Sequence, residues 1–336
     1  MHFFITGHTG FKGAWLILLL RQKNHLVSGF SLDPEKNSLF EISELSRMCQ
    51  RDFRGDIRDY SSIEEALNLT RPDVVIHLAA QSLVSEGYLH PKETFETNVL
   101  GTMNVVRASQ NIETIKARLV VTTDKVYKNK NQVTGYKESD ELGGKDPYSA
   151  SKSMADIFTQ SWVKSFNIPP TAIARAGNVI GGGDFGRHRL IPDLIASYTK
   201  NEVPKLRYPN AVRPWQHVLD CLNGYLHLVD YLIGGGEDLI WNFGPPKTEF
   251  FKVHEVAEEI GRMWSRDVSW ELDKRPRRDE SELLILDSSK ARKELGWSEK
   301  FDFNKSVEIT SEWYELVNQG ISPIKASEIT LSQFIN

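Results

Sequence analysis

His2-Phe3-Phe4-Ile5-Thr6-Gly7-His8-Thr9-Gly10-Phe11-Lys12-Gly13-Ala14-Trp15-Leu16-Ile17-Leu18-Leu19-Leu20 changes texture twice. An apolar run of strand length gives way to three glycines at G-x-x-G-x-x-G spacing, and these to an apolar run of helical length. The reading is strand, tight turn, helix. Glycines let the backbone turn sharply and come close to a ligand. The helix that follows offers unpaired N–H groups and the positive end of its dipole, which suit a pyrophosphate. The spacing departs from the commonest dinucleotide fingerprint, G-x-G-x-x-G. A plain strand-to-helix turn is the alternative. A trio directly behind a first strand favours the dinucleotide, and Gly7, Thr9, Gly10, Phe11, Lys12 and Gly13 are the candidate contacts.

Working outward, 26–30 reads as a second strand ending near Asp33. An acid at this distance commonly holds the adenosine ribose and selects NAD; Asp33 is either that acid or a loop residue. A third short strand precedes Gly55-Asp56-Ile57-Arg58-Asp59. Asp56 either accepts from the adenine amino group or caps a helix beginning near Tyr60, and Ile57 beside it joins the cofactor candidates. Residues 73–80 read as a buried strand running into Leu78, Ala79 and Ala80, small enough in sum to leave room for a flat ring. A long helix is expected over 91–110, with Asn98 inside it. Residues 117–122 form another buried strand, which puts Thr123, Asp124 and Lys125 just past its carboxyl end, where ligands of open α/β sheets sit.

Tyr148-Ser149-Ala150-Ser151-Lys152 opens a helix that runs to Lys164. A phenol and an ammonium four residues apart share one helix face. The ammonium favours phenolate and should lower the tyrosine pKa, giving a base at neutral pH. Alone, such a pair is more often a solvated face. A further strand at 171–175 completes an alternation that implies an α/β fold with a doubly wound, Rossmann-type parallel sheet. The expected organisation is a nucleotide-binding domain at 1–176 and an interleaved, smaller C-terminal α/β substrate lobe at 177–336. Gly181-Gly182-Gly183-Asp184 reads as a flexible loop and Gly234-Gly235-Gly236 as a turn.

The chain has 336 residues, enough for one large domain or two lobes. Its net charge of −4, with the signs interspersed, excludes an electrostatic nucleic-acid surface. The two cysteines form no C-x-x-C pair and the nine histidines no ligand spacing, so neither disulfides nor a metal are expected. A reducing cytoplasm is the natural compartment. The apolar run at 14–20 is too short to span a bilayer, and removing it as a leader would destroy the glycine turn.

Several longer stretches carry a resemblance: 7–13, 77–81, 123–127, 143–152, 175–184 and 210–218. The last two, Arg-Ala-Gly-Asn-Val-Ile-Gly-Gly-Gly-Asp and Asn-Ala-Val-Arg-Pro-Trp-Gln-His-Val, are the most distinctive. Over 7–297 the chain resembles the extended short-chain dehydrogenase/reductases and, among them, the CDP-glucose 4,6-dehydratase group. The resemblance implies NAD and a nucleotide-sugar substrate. It implies that Tyr148 takes the proton of the sugar 4-hydroxyl as hydride leaves C4. Lys152 would hold the phenolate and the nicotinamide ribose, and Thr123 would bond the same oxygen. Asp124 would protonate the departing C6 hydroxyl. Lys125 replaces the second acid of the dTDP-glucose and GDP-mannose enzymes; it is either the C5 base or a substrate contact. Gln81, Asn178, Arg189 and Arg213 would contact the sugar diphosphate, although each arginine has a surface ion pair as its plainer reading. Two departures stand out: Ser85-Glu86-Gly87-Tyr88 replaces an Arg-Ser-Tyr-like segment, bringing charge and flexibility toward the sugar. Arg278-Asp279-Glu280-Ser281 replaces a His-Glu-Ala-like segment. An epimerase or reductase on the same fold is the alternative reading, and a homodimer is expected.

Overall fold

In helix Phe11–Gln22, every residue from Gly13 to Leu20 is buried. A helix apolar on all sides must be covered on all sides, and that requirement organises the molecule. The computed structural model describes residues 1–186, 189–246, 250–264, 269–274 and 282–335. One face of Phe11–Gln22 lies on a seven-stranded parallel sheet, and another meets helix Val218–Ile233.

The strands are β1 His2–Thr6, β2 Leu26–Ser31, β3 Arg51–Arg54, β4 Val74–His77, β5 Ala117–Val121, β6 Thr171–Ala176 and β7 Ile240–Phe243. Their spatial order is β7-β6-β5-β4-β1-β2-β3. The order reverses between β1 and β4, whose register pairs Phe3 with Val74 and Thr6 with His77. That crevice is where open α/β sheets bind ligands. The parallel α/β sheet and the boundaries of β1, β2, β5 and β6 follow the sequence pattern to within a residue, whereas β4 ends at His77, short of the expected 80. The last strand and the helix before it come from beyond residue 176, so the C-terminal half completes the sheet.

Three expectations are corrected. The helix over 91–110 is three segments in line, Pro91–Phe95, a π-helical Glu96–Gly101, and Thr102–Ala108. The wide turn surrounds buried Asn98. The Asn98 side chain accepts from the Gln81 amide at 2.9 Å and donates to the Gln81 carbonyl at 3.0 Å and to Ser151 Oγ at 2.8 Å. The glycine run at 181–184 is buried rather than flexible. A Cβ on Gly182 would stand 2.0 Å from the Trp313 ring, and the Gly182 carbonyl accepts from Trp15 Nε1 at 2.9 Å. The part after 176 is also more helical than expected, with Val218–Ile233 and Phe303–Asn318 each 16 residues long.

A buried ion pair joins β6 to helix Pro147–Ser165. Arg175 Nε donates to Asp156 Oδ2 and Nη2 to Oδ1, both at 2.8 Å, with the side chains 1% and 0% exposed. Thr122 Oγ1 and Gln160 Nε2 also donate to this carboxylate. Arg175 Nη1 continues to the Tyr127 hydroxyl, which donates to Asn242 Oδ1 in β7. Breaking such a pair from one side strands a buried charge. Arg175→Met should therefore cost about 3–5 kcal/mol in denaturant unfolding. The double change Arg175→Met with Asp156→Leu should recover most of that loss; equal losses in both variants would refute the assignment.

Candidate active site

The crevice is built from the glycine turn and the end of β4. Gly7 has φ +74, and a Cβ there would lie 2.6 Å from the Ala79 nitrogen; on Gly13 it would lie 2.4 Å from the Gly7 carbonyl. Only glycine fits either place. Helix Phe11–Gln22 begins at Gly10 with no side-chain cap and no acid in its first turn. Its leading amides are thus left for an anion, and the cradle fits the pyrophosphate of a dinucleotide such as NAD. Gly7, Gly10 and Gly13 meet Leu78 and Ala79 here, with Ala80 next in the chain and Phe11 and Lys12 opening the helix. Thr9 braces the end of β2, its Oγ1 bonded to Ser31 Oγ at 2.8 Å.

Other expected cofactor contacts follow the ends of β2 and β3. Asp33 lies two residues beyond β2 with its side chain 89% exposed, 3.7 Å from Arg54 Nε. Asp56 does not cap the helix at Tyr60. That cap is Asp59, which accepts from the amides of Ser61 and Ser62. The Asp56 carboxylate is held by Arg58, which keeps it below the usual carboxylate range. Ile57 is buried in a second core, where a Cβ on Gly101 would meet its Cδ1 at 2.5 Å. The Gln81 side chain turns to Thr94 Oγ1 and to the Leu83 amide.

The end of β5 passes into a short 3-10 turn, Asp124–Val126, entered through Thr123. Helix Pro147–Ser165 starts opposite, with Asp146 as its cap and Pro147 in its first turn. Thr123, Asp124, Tyr148 and Lys152 are brought together and buried. Thr123 Oγ1 donates to Asp124 Oδ1 at 2.9 Å and lies close enough to the Tyr148 hydroxyl to favour its ionised form. Lys152 Nζ donates to the Val121 carbonyl at 2.9 Å. Lys125 is half-buried, with its charge acting on Asp124.

Burial dominates the protonation of all three ionisable groups. It pushes Tyr148 up to about 12; the Thr123 hydroxyl and Arg189 pull down, while Asp124 and Asp146 push further up. The lowered tyrosine pKa anticipated from a lysine one turn away is not found, because loss of water outweighs the neighbouring charges. Lys152 is pushed down to about 8, by burial and then by Lys12. Asp124 is raised by burial, against the opposing pull of Lys125, Thr123, Arg213 and Lys12. Its Oδ2 is buried without a hydrogen-bond partner among the described residues, and a Cβ on Gly177 would come within 3.3 Å of it.

The rim carries the remaining candidates. Arg189 Nη1 reaches both Asp184 oxygens at 3.0 and 3.1 Å, and Nη2 reaches Ser82 Oγ. Arg213 is buried, with Nη1 on the Val212 carbonyl. The Asn178 carbonyl accepts from the Gln216 amide. Glu86, on helix Val84–Leu89, stands 3.9 Å from His90. Gly87 is not a flexible point: it is buried in that helix, and a Cβ there would lie 3.1 Å from the Tyr148 nitrogen. The 278–281 segment lies outside the described residues. Sequence reading missed Tyr225, whose hydroxyl accepts from Lys12 Nζ at 3.1 Å; no local motif announces a partner 213 positions away.

Residues 4–310 match the profile of the GDP-mannose 4,6 dehydratase family. The chain belongs to that family. A CDP-glucose 4,6-dehydratase from Salmonella typhimurium is 37% identical over 344 residues, covering 99% of this chain and 96% of the relative. A dTDP-glucose 4,6-dehydratase from the same organism is 25% identical over 354 residues, covering 97% and 96%. Among solved structures, the dTDP-glucose 4,6-dehydratase of Streptomyces venezuelae, with NAD bound, aligns with a TM-score of 0.83 at 22% identity, over 96% of this chain and 100% of that one. A UDP-glucose 4-epimerase of Thermotoga maritima aligns with a TM-score of 0.85 at 20% identity, over 95% and 100%. At those identities the two structures establish a shared fold.

The elevated Tyr148 pKa is directly measurable. At pH 10.0, where an ordinary phenol is half ionised, an ultraviolet difference titration should give no phenolate signal separating the free protein from Tyr148→Phe. A separate ionisation near neutrality would show that burial does not control this group.

Proposed function

We propose that the protein is an NAD-dependent sugar-nucleotide 4,6-dehydratase, with CDP-glucose as its substrate. The observation that carries the reading is Asp124: a buried carboxyl group with raised proton affinity and an unpartnered oxygen, one hydrogen bond from the Thr123–Tyr148 pair. A carboxyl whose hold on its proton is strengthened by burial, beside a hydroxyl-oxidising tyrosine, is suited to expelling a second hydroxyl as water. The nucleotide assignment rests on the 37% identity to the Salmonella CDP-glucose enzyme.

The cradle amides and Lys152 would hold NAD, which supplies a hydride acceptor at C4 and a donor at C6. Tyr148 would remove the 4-hydroxyl proton as a phenolate, a form that the charges of Lys152 and of a bound NAD ring would favour over the resting phenol, while Thr123 holds the same oxygen. Oxidation at C4 acidifies the C5 proton, and Lys125 either takes it or fixes the sugar in place. Asp124 gives its proton to the departing C6 hydroxyl. Arg189 and Arg213 meet the diphosphate, where a guanidinium offers two parallel donors, and Gln81 and Asn178 complete the sugar's surroundings. The part beyond residue 176 would supply Asn178, Arg189 and Arg213 to the substrate, with β7 interleaved in the sheet of the first part. Helix Pro147–Ser165 presents Met154 and Ile157 outward, and Leu100 is exposed on the neighbouring helix, which supports a homodimer through these faces. Free Cys49 and Cys221 accord with a cytoplasmic protein. Among the described residues no helix is long and apolar enough to cross a membrane.

Incubation with CDP-, dTDP-, UDP- and GDP-hexoses and NAD, followed by mass spectrometry, tests the reading. Loss of one water from CDP-glucose is the expected result. Isomerisation without water loss would favour an epimerase, and net consumption of reduced cofactor a reductase. Asp124→Asn should lower water loss by about 10²–10⁴-fold while reduced cofactor accumulates on the protein; undiminished water loss would move the acid elsewhere.

A further inference from the structure

Arg189 joins two parts of the molecule that are distant in the chain. Nη1 reaches Asp184, and Nη2 donates to the exposed Ser82 hydroxyl, 107 positions earlier, at 3.3 Å. Ser82 follows Gln81 in the loop that leaves β4, at the sheet end where open α/β folds receive ligands. Asn98 Nδ2 ties the Gln81 carbonyl to Ser151 Oγ, and Ser151 Oγ donates to the Tyr148 carbonyl at 2.7 Å. Arg189 thus bridges the loop after β4 to the chain beyond residue 176, and the loop is itself bonded to the helix of Tyr148.

The far end of the bridge is built more firmly than an ion pair requires. The Asp184 side chain is 8% exposed, and both of its oxygens accept from Arg189 Nη1. Oδ1 also accepts from the Gly186 amide at 3.0 Å. The Asp184 carbonyl accepts from the Tyr314 hydroxyl at 2.6 Å, and Tyr314 is buried on helix Phe303–Asn318. Phe185, next in the chain, meets Trp313 and Tyr314 edge-on. Asp184 is therefore fixed through its main chain and its side chain alike. A guanidinium carries five N–H donors in a rigid fork. With Nη1 held by Asp184, Nε and Nη2 form the side left for a two-pronged contact, and among the described residues that side meets only Ser82. A Cβ on Gly186 would stand 3.0 Å from Nε, so a side chain there would crowd this edge. A solvated ion pair gives no reason for a buried, braced carboxylate or for an uncovered edge.

We propose that Asp184, moored by Tyr314, is a positioning residue that holds Arg189 by one nitrogen and presents its Nε–Nη2 edge to the diphosphate of a nucleotide sugar, which takes the place of Ser82. The mooring is read from the structure, and its service to a diphosphate rests on the substrate class proposed above. An arginine already held in its binding geometry gives up little rotamer freedom when the ligand arrives. The carboxylate raises affinity in this way even though its own charge opposes the anion.

The test is calorimetric binding of CDP, dTDP, UDP and GDP to the NAD-loaded protein, run as a double-mutant cycle on Asp184 and Arg189. Arg189→Ala should weaken binding of the preferred diphosphate on the order of 10–100-fold. Asp184→Ala should weaken it about tenfold and add almost nothing in the Arg189→Ala background. Asp184→Asn, which keeps an acceptor without the charge, should fall between the original protein and Asp184→Ala. Tyr314→Phe, which leaves both charged groups in place, should also weaken binding. Unchanged or tighter binding in Asp184→Ala overturns the proposal. So does a loss that persists undiminished once Arg189 is gone, because a merely structural carboxylate would weaken both backgrounds alike. Should Asp184→Ala not fold, unchanged binding in Asp184→Asn overturns the proposal equally. A protein that binds none of the four diphosphates overturns it too. Water loss from a sugar nucleotide judges the dehydratase reading separately. Water loss in a protein whose binding ignores Asp184 would keep that reading and sink this one; a non-additive cycle in a protein that releases no water would do the reverse.

Discussion

The two-pronged contact between Arg175 and Asp156 holds the site together from behind. It crosses from the sixth strand to the helix that carries Tyr148 and Lys152, and it excludes water entirely. Through the Tyr127 hydroxyl it reaches Asn242 in the last strand, and Asn242 Nδ2 in turn donates to the Tyr136 carbonyl. Tyr127 and Tyr136 stack with ring centres 5.1 Å apart. One charged pair thus fixes the distance between the helix with the candidate base and the strand end with the candidate acid. Four donors share the Asp156 oxygens, the dense satisfaction that a buried charge requires.

In front of that scaffold, removal of water acts on three neighbours in one direction. It raises an acid and a phenol and lowers an amine, so each leans toward its uncharged form. Burial thus lessens the charge that each of these groups carries against an incoming diphosphate or cationic ring. The charges that later drive proton transfer then arrive with the ligands, into surroundings of low dielectric where they act strongly.

Much of this was legible in the chain. The glycine spacing and the apolar runs gave the strand-turn-helix unit, the sheet and the four residues that converge on the site, because these rest on local periodicity and on the rule that ligands meet strand ends. What was not legible depended on contacts distant in sequence. Asp59 rather than Asp56 caps its helix, a choice between near-identical local signals. The glycines at 87 and 181–183 read as flexible, yet close approach to Tyr148 and Trp313 explains Gly87 and Gly182. The π-turn around Asn98 has no signature of its own; it arises because the amide group must face Gln81 and Ser151 at once. The direction of the Tyr148 shift was missed because spacing reveals a neighbouring charge and says nothing of how much water remains.

The helix that is buried on every side also constrains how the chain can be made. The cover of Phe11–Gln22, helix Val218–Ile233, is synthesised some two hundred residues after it. At ordinary synthesis rates of about 5–20 residues per second, that greasy segment waits on the order of ten seconds or more for its partner. During that interval the half-built sheet also lacks its closing edge strand. The two halves therefore do not mature separately: the most adhesive surface of the first stays uncovered until Val218–Ile233 has been made.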